Sequence, residues 1–214
     1  MKRNEFNAKH PRTTKSLKEF VISYEKSLAP DVYEKFLNSL DAEIGNAHDE
    51  IMALPPGPAR ARKLQELVEE EIRKNSKFPS TCSKGCSACC HLEVEITNYE
   101  SEILTELLEN GHPIDKDRLK SQSRRELQDP VWKNGVRNVE NQCVFLGADK
   151  ACSIYDQRPV MCRRHAVTSA PINCELPDGK ISLCYYPRVD VLIVAASEDP
   201  DLRVGPLAKM ILFS

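Results

Sequence analysis

The sequence predicts a mainly α protein, with an N-terminal helical section followed by a Cys-rich mixture of helix and irregular chain. Three observations carry that prediction. Apolar residues recur at three- and four-residue intervals three times within the first 75 positions, the period of a helix with one buried face. Alternating strand and helix patterns are missing beyond the first cysteines. All nine cysteines fall between Cys82 and Cys184.

Leu17, Phe20, Val21, Tyr24 and Leu28 share one face of a first helix that must end before Pro30. Asp31 and Glu34 hold capping-box positions for a second helix with the stripe Phe36, Leu37, Leu40, Ile44, Ala47 and Ile51, stopped by Pro55-Pro56-Gly57-Pro58. A third turns Leu64, Leu67, Val68 and Ile72 inward and leaves Glu69, Glu70 and Glu71 as a solvated face. Such helices pack as a small antiparallel bundle or a cover. The character changes at Phe78-Pro79. Beyond it, Thr97 and Glu100 form a second capping box, and Ile103, Leu104, Leu107 and Leu108 supply a stripe ended by Asn110-Gly111 and Pro113. Positions 115–127 read as a polar helix, whereas the stretch with Trp132, Val136 and Val139 is ambiguous. Pro159 suits the first turn of a short helix carrying Cys162, and 189–196 fits a strand or a buried helix. The division expected is 1–78 helical section, 79–190 Cys-rich domain and 191–214 a C-terminal segment packing on it.

The chain has 214 residues, 41% hydrophobic and 29% charged, with 30 Lys+Arg against 32 Asp+Glu and a net charge of -2. These values describe a globular chain. No run approaches the roughly 18 apolar residues of a spanning helix, so no membrane is expected, and the near-neutral charge argues against nucleic acid as a partner. The first twenty residues are polar and lack the apolar core of a secretory signal, which makes the cytosol the expected compartment. Thiols stay reduced there, so clustered cysteines read as metal-binding or redox-active rather than as a disulfide scaffold.

Cys82, Cys86, Cys89 and Cys90 fall within nine residues. Ligands two to four residues apart let sulfurs converge, and Gly85, Ser87 and Ala88 let the backbone bend around an ion. Several thiolates close together repel, which makes a cation or cluster their natural partner. Cys89 and Cys90 are adjacent, so their side chains are expected to diverge by about 100° in a helix or to opposite faces in a strand, and to serve different partners or different metals. Cys143, Cys152 and Cys162 supply a second group, with Cys174 and Cys184 beyond. Ligand pairs from early and late loops make binding part of folding, hence a metal-organised α/irregular domain.

Together Cys82-x3-Cys86-x2-Cys89-Cys90, Cys143-Val144-Phe145-Leu146 and Cys152-x-Ile154-Tyr155-x-x-Arg158-Pro159-x-x-Cys162-Arg163 resemble the cysteine-cluster family with a zinc- or iron-chelating (CxxCxxCC) domain, over about residues 80–175. The resemblance implies that Cys82, Cys86, Cys89, Cys90, Cys143, Cys152 and Cys162 are the cluster positions. The Cys82 to Cys86 gap is three residues where the family's name has two. A flagellin lysine methylase is similar in this cluster, so protein methyl transfer is one activity the resemblance implies. The spacing Cys82-x3-Cys86-x2-Cys89 also resembles that of radical S-adenosylmethionine enzymes, but the strand–helix alternation of their barrel is missing.

The expected cofactor is an iron–sulfur cluster, [4Fe–4S] by ligand set, or Zn2+. The excess of Cys over His tilts the choice to iron–sulfur. His91 and His165 read as outer hydrogen-bond partners or surface residues more than as ligands. Arg158, Arg163 and Arg164 read as capping carbonyls or pairing with carboxylates, and Ile154 and Tyr155 as packing. A structural metal module, a redox or electron carrier and an enzyme using the centre stay open, and no protein partner or catalytic residue is legible.

Overall fold

In the computed structural model, which describes residues 1–75, 80–176 and 178–213, the helices are α1 (Arg3–Lys9), α2 (Lys15–Ser27), α3 (Pro30–Met52), α4 (Pro58–Lys74), α5 (Asn98–Glu109), α6 (Lys116–Gln122), α7 (Val160–Arg164), α8 (Pro187–Ser197) and α9 (Leu207–Leu212). The strands β1 (Glu95–Thr97) and β2 (Val204–Pro206) form one antiparallel pair. The protein is mainly α, as the periodicities predict. Among the described residues no helix is long and apolar enough to cross a membrane. The sequence break at Phe78-Pro79 lies outside the described residues.

The chain forms two compact units, one of Met1–Lys74 with Tyr186–Leu202, the other of Asn75–Tyr185 with Arg203–Ser214. In the first, the α3 stripe Leu37, Leu40, Ile44 and Ala47 packs with Phe6, Leu17 and Val21 against Val191, Val194 and Ala195 of α8. The ambiguous 189–196 stretch is thus a buried helix. It opens on Pro187 and is apolar nearly all round, which suits an element enclosed by neighbours. α1 escaped the periodicity because Phe6 is its only buried residue.

Two expectations for this unit need correction. Asp31 and Glu34 do not form a capping box: Pro30 takes the first helical position and Ala29 the cap, so Asp31 lies inside the first turn, and Glu34 instead accepts a hydrogen bond from the Met1 nitrogen at 2.6 Å. Nor are the three consecutive glutamates all solvated. The Glu71 side chain is only 13% exposed and lies 3.6 Å from Arg188, because adjacent helical positions point in different directions.

Asp199, 1% exposed, accepts a 2.6 Å bond from Arg60 Nη1 and a 2.9 Å bond from the Asp201 N–H. Asp199→Ala leaves a mostly buried guanidinium without its carboxylate, which is expected to cost about 3 kcal/mol in urea denaturation; a cost below about 0.5 kcal/mol contradicts this. Asp41 gives a pH signature. Burial opposes its ionisation, but bonds from Lys9 Nζ (2.7 Å) and His10 Nε2 (2.8 Å) outweigh burial and hold its pKa below the ordinary value. A depressed carboxyl stabilises the fold above its unfolded pKa and loses that contribution as pH falls through its folded pKa. Asp41→Asn is therefore expected to melt below wild type at pH 7, with the gap closing as the pH drops below about 4. A pH-independent gap in circular dichroism melts would contradict this.

In the second unit Thr97 and Glu100 do form a reciprocal capping box, with Glu100 N–H donating to Thr97 Oγ1 at 3.1 Å and Thr97 N–H to Glu100 Oε2 at 3.0 Å. α5 ends at Asn110 and Gly111, as expected. α6 is shorter than the expected 115–127. Its end is tied down by Gln122 Nε2, which donates to the carbonyls of Glu140 (2.6 Å) and Gln142 (2.9 Å), and Arg125 turns away to stack over Trp132 at 4.5 Å. The ambiguous stretch around Trp132 consists of 3-10 turns at Pro130–Arg137 and Val139–Asn141. Ile96, Leu104, Leu119, Val144, Phe145, Ile154, Leu207 and Ile211 make this unit's core, with Cys143 and Cys152 packed on it.

Candidate metal centre

Each cysteine segment has a local reason for its shape. Thr81 N–H donates to the Val167 carbonyl (2.9 Å), which anchors the loop before Cys82. The Cys86 N–H closes a turn onto the Ser83 carbonyl at 3.0 Å, with Gly85 at φ 95°, a backbone region that glycine enters without a Cβ clash. Cys89 and Cys90 lie in the 3-10 turn Ala88–His91. The Cys90 carbonyl accepts from the Cys143 N–H at 2.6 Å, bringing two segments far apart in sequence side by side. Cys143 and Cys152 sit on a tight hairpin-like loop with a bridge between Leu146 and Cys152 and a 2.9 Å bond from Ser153 N–H to the Phe145 carbonyl. Cys162 rides on α7, whose start is fixed by Val160 N–H donating to Glu100 Oε1 at 2.8 Å.

The result is one cavity of about 340 Å³ bordered by Cys82, Cys86, Cys89, Cys90, Cys143, Cys152 and Cys162. These are the seven positions singled out from sequence. His165 and Arg158 also border it. His91 does not; its Nδ1 lies 3.2 Å from the Ser87 carbonyl. Cys174 and Cys184 are outside this wall. All nine cysteines are free and partly exposed. Among the described residues, no three Cys, His, Asp or Glu side chains stand close enough together to grip a metal ion. The thiols surround a space and do not close on a point.

Adjacent in the 3-10 turn, Cys89 and Cys90 act on each other, with a hydrogen bond from the Cys90 thiol favouring the Cys89 thiolate. That bond, with help from the Arg158 charge, pulls Cys89 down to about 7 against the opposing effect of burial, and holds Cys90 far above its ordinary value. Burial pushes Cys143 up to about 11, with Cys152 and Cys89 adding to it. Burial also raises Cys162 well above the usual thiol value, reinforced by Cys143, Cys89 and Cys152. Each of these thiolates would raise its neighbours, a repulsion that a bound cation relieves.

The arginines act largely as expected. Arg158 Nε donates to the Tyr155 carbonyl (2.9 Å) and its guanidinium stacks 3.7 Å above the Tyr155 ring. Arg163 donates to the carbonyls of Arg158 (2.8 Å) and Asp156 (2.6 Å). Sequence reasoning missed Glu100 as the link between α5 and the Cys162 helix. The Thr97–Glu100 motif marked only its local role.

The donor set fits a thiophilic metal. Seven sulfurs and one imidazole border the space beside the carboxylates of Glu93 and Glu95, a sulfur-dominated composition suited to zinc or iron–sulfur centres more than to calcium or magnesium, which take oxygen ligands throughout. No curated protein and no solved structure matched the chain. Residues 81–182 match the model of the family CxxCxxCC, described as "Putative zinc- or iron-chelating domain". The likeness to that zinc- or iron-chelating domain covers the Cys-rich region of this chain, residues 81–182.

Proposed function

We propose that the chain chelates an iron–sulfur cluster, with ligands drawn from Cys89, Cys90, Cys143, Cys152 and Cys162. The observation that carries this reading is the thiol-walled cavity of about 340 Å³. Its volume exceeds what one tetrahedral ion between four side chains needs, and sulfur dominates its wall. The charges of others in this set raise Cys90, Cys143, Cys152 and Cys162 in turn. Phe145, Ile154 and Leu207 supply an apolar surround, which limits solvent access and so influences cluster potential. Cys82 and Cys86 border the same space, so the full seven-cysteine set stays within reach. An iron–sulfur cluster supplies electron-transfer chemistry when bound.

The test is anaerobic purification followed by iron and sulfide analysis and absorbance. Stoichiometric iron and sulfide with a broad band near roughly 400 nm that bleaches with dithionite is the expected result. Colourless protein carrying zinc alone would replace the cluster with a zinc site.

A further inference from the structure

Arg158 borders the thiol-walled cavity and is held there from two sides. Its Nε donates to the Tyr155 carbonyl at 2.9 Å, and its guanidinium lies 3.7 Å over the Tyr155 ring. These contacts use the Nε edge and one flat face. Among the described residues, Nη1 and Nη2 have no hydrogen-bond or ion-pair partner. The end-on fork of the guanidinium, the edge that grips an anion with two parallel N–H bonds, therefore stays open. The charge of Arg158 reaches the thiols, since it helps to hold Cys89 down and opposes the rise of Cys152. The carboxylates on the wall are otherwise engaged. Glu93 Oε1 accepts from the Gln128 N–H at 2.7 Å. Burial, then the charges of Glu93 and Glu100, push Glu95 up toward its neutral form, whereas an opposed guanidinium would pull it down.

We propose that the cavity binds a small monocarboxylate with an apolar body, its carboxylate on the Nη fork of Arg158. One guanidinium offsets a single negative charge, and thiolates nearby make a dianion such as phosphate costlier to admit. Concave apolar spaces with a few placed polar groups are the usual small-molecule sites. Here Leu92, Val94, Leu127 and Leu207 share the wall with the thiols, around a volume of about 340 Å³. Arg158 is already fixed by Tyr155, so it loses little side-chain freedom when the carboxylate arrives, and that cost of binding is reduced in advance.

The inference rests on the chelating role proposed for this cavity and adds what binds beside the centre, yet the two can fail separately. The test is isothermal titration of the anaerobically purified full chain with hexanoate, 1-hexanol and inorganic phosphate. Wild type, Arg158→Gln and Arg158→Lys are compared, with iron, zinc and the visible spectrum recorded for each. Hexanoate is expected to bind wild type roughly tenfold or more tightly than 1-hexanol or phosphate, and to weaken by a similar factor in Arg158→Gln. Arg158→Lys, which keeps the charge but not the fork, should recover part of that loss. Metal content should stay as in wild type throughout. Hexanoate that fails to bind, or that binds wild type and Arg158→Gln alike, would overturn the inference and leave Arg158 only to balance the charge of the centre. Phosphate bound more tightly than hexanoate would overturn the carboxylate assignment. Iron without hexanoate binding leaves the cluster standing and removes the carboxylate site. Arg158-dependent hexanoate binding in iron-free protein does the reverse. Should Arg158→Gln fail to fold, Arg158→Lys decides alone, with hexanoate expected to weaken by roughly threefold or more.

Discussion

Cys162→Ser is expected to strip the inner cavity of its metal. Cys162 projects from α7 into the thiol-walled space, and burial together with the neighbouring thiols keeps its proton on until a metal displaces it. A serine hydroxyl at that depth offers a poor, hard ligand to a thiophilic centre. Retained iron should fall by roughly tenfold or more, and the loss of binding energy should lower the melting transition by about 10 °C or more. Cys184→Ser is the control, because Cys184 does not border the thiol-walled cavity. Its iron content should equal that of wild type. Full iron retention in Cys162→Ser would remove Cys162 from the ligand set.

Glu100→Ala is the second large effect. This carboxylate is 3% exposed and accepts at both oxygens, Oε1 from Val160 N–H and Oε2 from Thr97 N–H. It therefore caps α5 and at the same time fixes the start of the helix that carries Cys162. Truncation leaves two N–H groups without their acceptor, one of them buried, and a loss of about 3 kcal/mol is expected in denaturant unfolding. Iron content should drop as well, since α7 loses its anchor. Glu100→Gln keeps one acceptor oxygen and should recover part of both. A Glu100→Ala protein within about 0.5 kcal/mol of wild type would show that the link does not position α7.

Local chemistry was legible in the sequence; long-range meeting was not. The α2, α3, α4 and α5 periodicities are visible because a single buried face repeats every three to four residues. The same reasoning succeeds for Thr97–Glu100 and fails for Asp31–Glu34, since Pro30 occupies the first helical position and the cap lies two residues earlier, at Ala29. α1 carries only Phe6 as a signal, and α6 is cut short by Gln122 and Arg125 reaching a loop some 15 to 20 residues onward.

For the site, the spacing of Cys82 to Cys90 and the family resemblance named the seven cysteines that share the cavity. Spacing could not reveal that the Cys90 carbonyl accepts from the Cys143 N–H, the contact that brings the two groups together. Nor could it show the hydrogen bond from the Cys90 thiol to Cys89 within the 3-10 turn.

The most direct test of the central claim is a crystal structure of anaerobically purified protein with anomalous diffraction measured on both sides of the iron edge. The account predicts an iron-specific peak inside the cavity, with sulfur ligands from among Cys89, Cys90, Cys143, Cys152 and Cys162. An iron peak elsewhere, or none in protein that folds with all nine thiols uncoordinated, would contradict it.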